Sequence, residues 1–202
     1  TFETNFLTSA IDLPVTGKYN ATNAMVATYV ALKEGVTEEV IQKAFLTLEL
    51  TRNRTEWKKA KNGADILSDV YNANPTAMRL ILETFSTIPC NENGQKVVVL
   101  ADMKELGAES KQMHGAMITS LNPEILSEIF LYGEDMAALF AYAQEIFPPE
   151  KVHYFVKNAE KDQFPALVKA IKKVLQPADQ VLIKGSNSMN LASLVEKLEN
   201  EE

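Results

Sequence analysis

The chain has 202 residues, 46% of them hydrophobic, enough to build one large domain or one domain and a piece. Lys+Arg 20 against Asp+Glu 27 gives a net charge of -7 with only three arginines, which argues against nucleic acid as a partner. No apolar run exceeds strand length, so no membrane span is expected, and the single Cys90 excludes an internal disulfide and fits a reducing cytoplasm.

In chain order, Phe2–Leu7 and Ala10–Val15 read as short extended pieces, with Pro14 and Gly17 closing them. Residues 20–33 read as a helix with Ala24, Ala27 and Ala31 on a small-residue face, stopped by Gly35. Thr37-Glu38-Glu39 predicts the capped start of a second helix, running to about Leu48. Residues 50–53 are the expected hinge between two domains, 1–51 and 52–202. Arg54–Ala60 and Ala64–Val70 flank a Lys61-Asn62-Gly63 turn and read as a hairpin. Pro75 to Ile88 reads as an amphipathic helix, with Asn74 at the N-cap and Pro75 at the first helical position. Strands are expected at Lys96–Ala101, Glu128–Tyr132, Val152–Val156 and Gln180–Lys184. Helices are expected at about 110–120, 134–147, 162–175 and 187–199. These later strands lack polar alternation, as strands covered on both faces of a mostly parallel sheet do. The rhythm from Arg54 onward therefore predicts a doubly wound α/β domain. The acidic 199–202 end is expected to fray.

Two stretches place polar groups at carboxyl ends of strands, where ligands of open α/β sheets sit. Tyr71, Asn72 and Asn74 crowd the start of the Pro75 helix, and a helix N-terminus favours anions. Lys184-Gly185-Ser186 ends the last strand, where an ammonium and a hydroxyl could bind a carboxylate. Both stretches also admit plainer accounts: turn and capping chemistry for the asparagines, a surface lysine and an N-cap serine for the other. Asn20 and Asn23 share one helix face, where amides suit an adenine edge, although Asn20 could instead cap the helix. No Gly-x-Gly occurs, and Gly17-Lys18 fails the phosphate-loop pattern at both ends, with Asp12 before it and Tyr19 after it. His114 reads as a packing or hydrogen-bonding residue and His153 as structural. The two histidines and one cysteine are too scattered for zinc. Serine, histidine and aspartate all occur, with no nucleophile elbow to make a triad of them.

Four runs carry a family resemblance. Asp69-Val70-Tyr71-Asn72-Ala73-Asn74-Pro75-Thr76 resembles the Mur ligases of peptidoglycan synthesis. Gly17-Lys18-Tyr19-Asn20-Ala21-Thr22-Asn23-Ala24 is similar to their Gly-x-His-Asn-x-x-Asn-Ala run, with Tyr19 where histidine is usual. Asp102-Met103-Lys104-Glu105-Leu106-Gly107, with Ser110 and His114 behind it, resembles their Asp-Met-x-Glu-Leu-Gly run. Lys184-Gly185-Ser186 resembles their closing Lys-Gly-Ser motif. The first and third runs are most similar to the members that join D-alanyl-D-alanine to UDP-N-acetylmuramoyl-tripeptide.

The resemblance implies a Rossmann-like C-terminal domain over 52–202, preceded in 1–51 by the last part of a central ATPase domain. It implies ATP and Mg2+ as cofactors, with ATP, D-Ala-D-Ala and UDP-MurNAc-tripeptide as small-molecule substrates, no nucleic acid, and a cytoplasmic monomer. Within it Asn23, with Asn20, would meet adenine and Asp69 a ribose hydroxyl. Arg54 would reach the γ-phosphate, Arg52 being the alternative two residues away. Asp69 could instead cap the loop after it. Tyr71, Asn72, Asn74, Lys184 and Ser186 would line the dipeptide or phosphate region. Thr1 is not methionine, and the chain is expected to be a fragment. The phosphate loop, the metal ligands and the uridine-linked sugar site would lie upstream, which would leave these 202 residues inactive alone. A sister ligase, such as a folylpolyglutamate synthetase, or a non-catalytic nucleotide- or metabolite-binding module stays open.

Overall fold

Gly17, at φ 105°, turns the chain into its first helix, α1 (Lys18–Lys33). The computed structural model describes residues 1–15, 17–48 and 54–200. It divides into two units, Thr1–Thr51 and Arg52–Glu202. The hinge expected at 50–53 and Arg52 lie outside the described residues, as does the tip of the acidic end.

In the first unit the two expected strands reduce to one antiparallel bridge, Phe2 to Ile11. The Leu7 amide turns back onto the Thr4 carbonyl, which takes the chain out of a ladder after a single pair. α1 ends in a left-handed glycine motif: Gly35 (φ 84°) donates to Leu32 O and Val36 to Ala31 O. Its inward residues are Ala24 and Thr28, one helical turn apart. Ala27 is exposed, so the expected Ala24–Ala27–Ala31 face is not the packed one. Thr37 stands at the N-cap of α2 (Glu38–Leu46) without a capping bond from its hydroxyl. The neighbouring Glu38 carboxylate instead accepts from the Thr8 amide at 2.9 Å and the Thr8 hydroxyl at 2.7 Å.

The second unit opens with β1 (Glu56–Lys59) and β2 (Asp65–Asp69), an antiparallel hairpin. Gly63 at φ 102° supplies its left-handed turn position. The Asn62 side chain accepts from the Ala64 amide there. Next come α3 (Pro75–Thr87), β3 (Lys96–Ala101), α4 (Ser110–Ala116) and β4 (Leu126–Tyr132). α4 starts where expected but is shorter, because a 3-10 turn, Met117–Ser120, replaces its C-terminal part; another 3-10 turn, Gly107–Glu109, precedes it. α5 (Met136–Ile146), β5 (Val152–Phe155), α6 (Phe164–Val174), β6 (Gln180–Lys184) and α7 (Leu191–Asn200) complete it.

The strand order is β1-β2-β6-β3-β4-β5, and every pair but β1/β2 is parallel. All residues of β3 and β6 are buried. One face packs Ile66, Val97, Val99, Phe130, Val181 and Ile183 against α6 and α7. The alternate residues Leu67, Val98, Leu100 and Leu182 point the other way and are equally buried. This is the doubly wound, mostly parallel sheet expected from the sequence. Lys96 is buried at the sheet's opposite end, where its ammonium holds the Phe85, Ser86 and Ile88 carbonyls that close α3.

Candidate functional site

The hydrogen-bond register makes Asp69 and Lys184 direct neighbours, at the carboxyl ends of β2 and β6. Lys184 Nζ donates to Asp69 Oδ2 at 2.6 Å and to the Asn72 carbonyl at 2.9 Å, with the Asp69 carbonyl at 3.5 Å. Its side chain is 1% exposed, so the surface-lysine account of this residue does not hold. Burial pushes the ammonium below the ordinary lysine pKa, Asp69 draws it back up, and Arg54 pushes it down again.

Asp69 has a second duty. Its Oδ1 accepts from the Thr55 amide at 3.2 Å, while Thr55 sits at φ 47°, a region β-branched residues seldom enter. Asp69 thus holds the strand before it and does not cap the loop after it. The residue next to Thr55, Arg54, lays its guanidinium over the Tyr71 ring, 4.4 Å from the centroid. Asn72 accepts from the Ala73 amide, and Asn74 Oδ1 accepts from the Ala77 amide at 2.8 Å, the N-cap of α3 as predicted. Arg54, Asp69, Tyr71, Asn72 and Lys184 therefore form one cluster, with Asn74 behind it at the helix start. Arg54, Tyr71, Asn72 and Asn74 are exposed, so the cluster presents a guanidinium, a phenol and two amides at the sheet's carboxyl edge.

A second arrangement lies along the same edge. Ser186 stands at the N-cap of a 3-10 turn without a capping bond from its hydroxyl; its Oγ accepts from the Lys104 amide at 2.9 Å. Gly185 is required: a Cβ there would lie 2.7 Å from Ala101 Cβ and 2.9 Å from a Leu191 methyl. Asp102 is fully buried and accepts from Met136 N at 3.0 Å, Glu134 N at 3.1 Å and Lys104 Nζ at 2.8 Å. His114 accepts from the Met103 amide at Nε2, and its Nδ1 lies 2.7 Å from the Ser110 carbonyl, which makes it the hydrogen-bonding residue expected. His153 lies 2.7 Å from Glu128, clear of the carboxyl edge. Sequence reasoning named Asp102 without giving it a task, and missed Thr55 altogether. Thr55 falls inside the expected strand Arg54–Ala60, and nothing there signals that its amide will sit before β1 and face a carboxylate 14 residues on.

Asn20 and Asn23 belong to the first unit. Gly17 holds the N-cap of α1, so Asn20 is the third helical residue and does not cap. Asn23 is exposed on the next turn. Among the described residues no cluster of three His, Cys, Asp or Glu side chains is placed to hold a metal. No helix there is long and apolar enough to cross a membrane.

Residues 53–187 match the family described as Mur ligase, glutamate ligase domain. The chain belongs to the Mur ligases. The UDP-N-acetylmuramoyl-tripeptide–D-alanyl-D-alanine ligase of Bacillus subtilis is 30% identical over 186 residues, covering 92% of this chain and 39% of that protein. Two crystal structures of MurF from Acinetobacter baumannii superpose with TM-scores of 0.75 and 0.78, at 31% and 30% identity. Each alignment covers 96% of this chain and 40% of that one. The chain spans about two fifths of the length of these Mur ligases.

Proposed function

We propose that this chain is part of an ATP-dependent amide-bond ligase that adds D-alanyl-D-alanine to UDP-N-acetylmuramoyl-tripeptide. The observation that carries the reading is the 30% identity to the Bacillus subtilis ligase of that name across 92% of this chain. The Asp69–Arg54 cluster sits inside that match and offers the chemistry such a reaction needs. ATP phosphorylates the tripeptide carboxylate, the dipeptide amine attacks the acyl phosphate, and inorganic phosphate leaves. The acceleration comes from positioning and charge neutralisation.

In this proposal the Thr1–Thr51 unit is the end of the ATP-binding domain, with Asn20 and Asn23 toward adenine. Asp69 keeps an oxygen lone pair for a ribose hydroxyl, because a carboxylate has about four acceptor sites. Arg54 leaves the Tyr71 ring for the γ-phosphate, where a planar, always-charged fork suits phosphate oxygens. Tyr71, Asn72, Asn74 and Ser186 border the dipeptide and phosphate region. The three Lys184 donors already face protein oxygens, so its contribution to that region is indirect. The Mg2+ ligands belong to the remainder of the full-length enzyme, which acts as a cytoplasmic monomer.

The test is phosphate release by the full-length enzyme with ATP, Mg2+ and UDP-MurNAc-tripeptide. Release that depends on D-Ala-D-Ala supports the proposal. Release that depends on glutamate and a folate would assign a sister ligase instead. No release with either, alongside retained nucleotide binding, would leave a non-catalytic module.

A further inference from the structure

Three observations meet at Lys184. Its ammonium is buried, yet it has one carboxylate partner and a guanidinium nearby that repels it. An aliphatic side chain would fill this place at the end of β6 without the desolvation cost. Next, the Asp69 carboxylate that it holds also grips the amide of Thr55, whose φ of 47° puts a bend just before β1. That bend sets the direction from which Arg54, the preceding residue, leaves the chain. Finally, the Asn72 carbonyl that it holds fixes the loop carrying Tyr71, the ring on which the Arg54 guanidinium rests.

We propose that Lys184 is a positioning residue for Arg54: one buried ammonium fixes, through Asp69 and the Asn72 carbonyl, both the bend that launches the guanidinium and the ring that seats it. The inference rests on the proposed γ-phosphate role of Arg54. It gives Asp69 a second task besides any ribose contact, and it ties the nucleotide end of the site to its phosphate end. Lys184 itself touches no substrate.

Two measurements test it. In the 202-residue chain, amide hydrogen exchange is followed by NMR. Lys184→Met should speed exchange at Thr55 about tenfold while the β3 amides keep their protection, which shows that the sheet is intact. It should also move the Tyr71 ring resonances in the direction that Arg54→Ala moves them. Should Lys184→Met not fold, Lys184→Gln serves, because one amide can reach Asp69 or Asn72 but not both; the same changes, smaller, are expected. In the full-length enzyme, Lys184→Met should lower kcat about a hundredfold and leave KM for D-Ala-D-Ala within about twofold. Combined with Arg54→Ala, it should cost almost nothing more, because both variants remove the same placed guanidinium. Unchanged Thr55 exchange in a folded Lys184 variant would overturn the proposal. So would a full additive loss on the Arg54→Ala background with a raised D-Ala-D-Ala KM, which would mean direct contact with the dipeptide. If Arg54→Ala alone leaves turnover intact, the γ-phosphate assignment fails, and Thr55 exchange still decides whether Lys184 anchors the bend.

Discussion

The Asp102 carboxylate lies across the start of α5, with its Oδ1 3.0 Å from the Met136 amide. Two further donors, the Glu134 amide and the Lys104 ammonium, complete its shell in the fully buried end of β3. Asp102→Asn keeps the shape but puts an amide NH2 where an acceptor is needed. We expect it to cost roughly 3 kcal/mol of stability. Urea unfolding followed by the fluorescence of Trp57, the single tryptophan, will measure it. A cost below about 1 kcal/mol would show that water replaces the lost acceptor.

Gly133 is the partner that permits this contact. It sits at φ 136°, and a Cβ would fall 2.1 Å from Asp102 Oδ1. Gly133→Ala should therefore destabilise by more than about 3 kcal/mol. Gly107→Ala is the control, since Gly107 has a positive φ of 64° but open space around it. It should cost about 1–2 kcal/mol, the backbone penalty alone. Equal effects of the two would mean that the Asp102 carboxylate moves aside without resistance.

Two aspartates set an acid limit. Burial tends to raise both, but hydrogen bonds from Lys59 and Asn91 bring Asp65 below the ordinary 3.8. Tyr132, the Phe164 amide and Lys157 do the same for Asp162. Folded values below unfolded ones give stability that is present above the unfolded pKa and lost as pH falls through the folded one. The urea midpoint should therefore drop below about pH 4 through these groups. Asp65→Asn combined with Asp162→Asn should lower the midpoint at neutral pH and flatten that acid drop. An unchanged acid slope would assign the limit to other carboxylates.

The 202 residues hold no Gly-x-x-x-x-Gly-Lys-[Ser/Thr] run, so the groups proposed for nucleotide are base, ribose and γ-phosphate contacts without a phosphate cradle. This chain alone should show no ligase turnover. It should bind ATP more weakly than micromolar, short of about 8 kcal/mol, by calorimetry. Micromolar binding would show a phosphate site among these residues.

In the full-length enzyme, Arg54→Ala should lower turnover by roughly 10³ while leaving binding of the uridine-linked substrate little changed. Arg54→Lys keeps the charge without the planar fork and should not restore the rate fully. Arg52→Ala is the comparison and should be mild. The reverse pattern would place the phosphate contact two residues earlier in the chain.

Much of the fold was legible because its signals are local. Lys96–Ala101 and Gln180–Lys184 are β-rich runs without polar alternation, and the observed strands have those bounds. Asn74-Pro75 announces a helix start by its own chemistry, and the structure forms that cap. The misses share one cause, which is that the deciding partner is distant. Phe2–Leu7 looks extended, but a strand exists only where a neighbour pairs with it, and Phe2 has one bridge. Thr37 looks like a cap, yet the carboxylate beside it is engaged with Thr8, 30 residues earlier than Glu38. Lys184 reads as a carboxylate-binding ammonium or a surface lysine because nothing nearby in sequence neutralises it; Asp69 lies 115 residues away. Strand ends placed Asp69 and Lys184 at one edge of the sheet, but the sequence assigned them to different groups, nucleotide and dipeptide, and only the register makes them neighbours. The duties within the group depend on register, which one sequence does not display.

The strand order has a consequence for synthesis. β6 is the last strand of the sheet in sequence, yet it occupies the middle, between β2 and β3. A nascent chain that has emerged only as far as Asp179 holds a two-stranded ribbon and a three-stranded one with no strand to join them. Each has a bare edge, β2 on one side and β3 on the other, built from Leu67, Val98 and Leu100 and primed to pair with whatever strand arrives. Closure therefore waits for translation to pass Lys184, and a ribosome that stalls before it leaves two sticky half-sheets in place of a smaller domain.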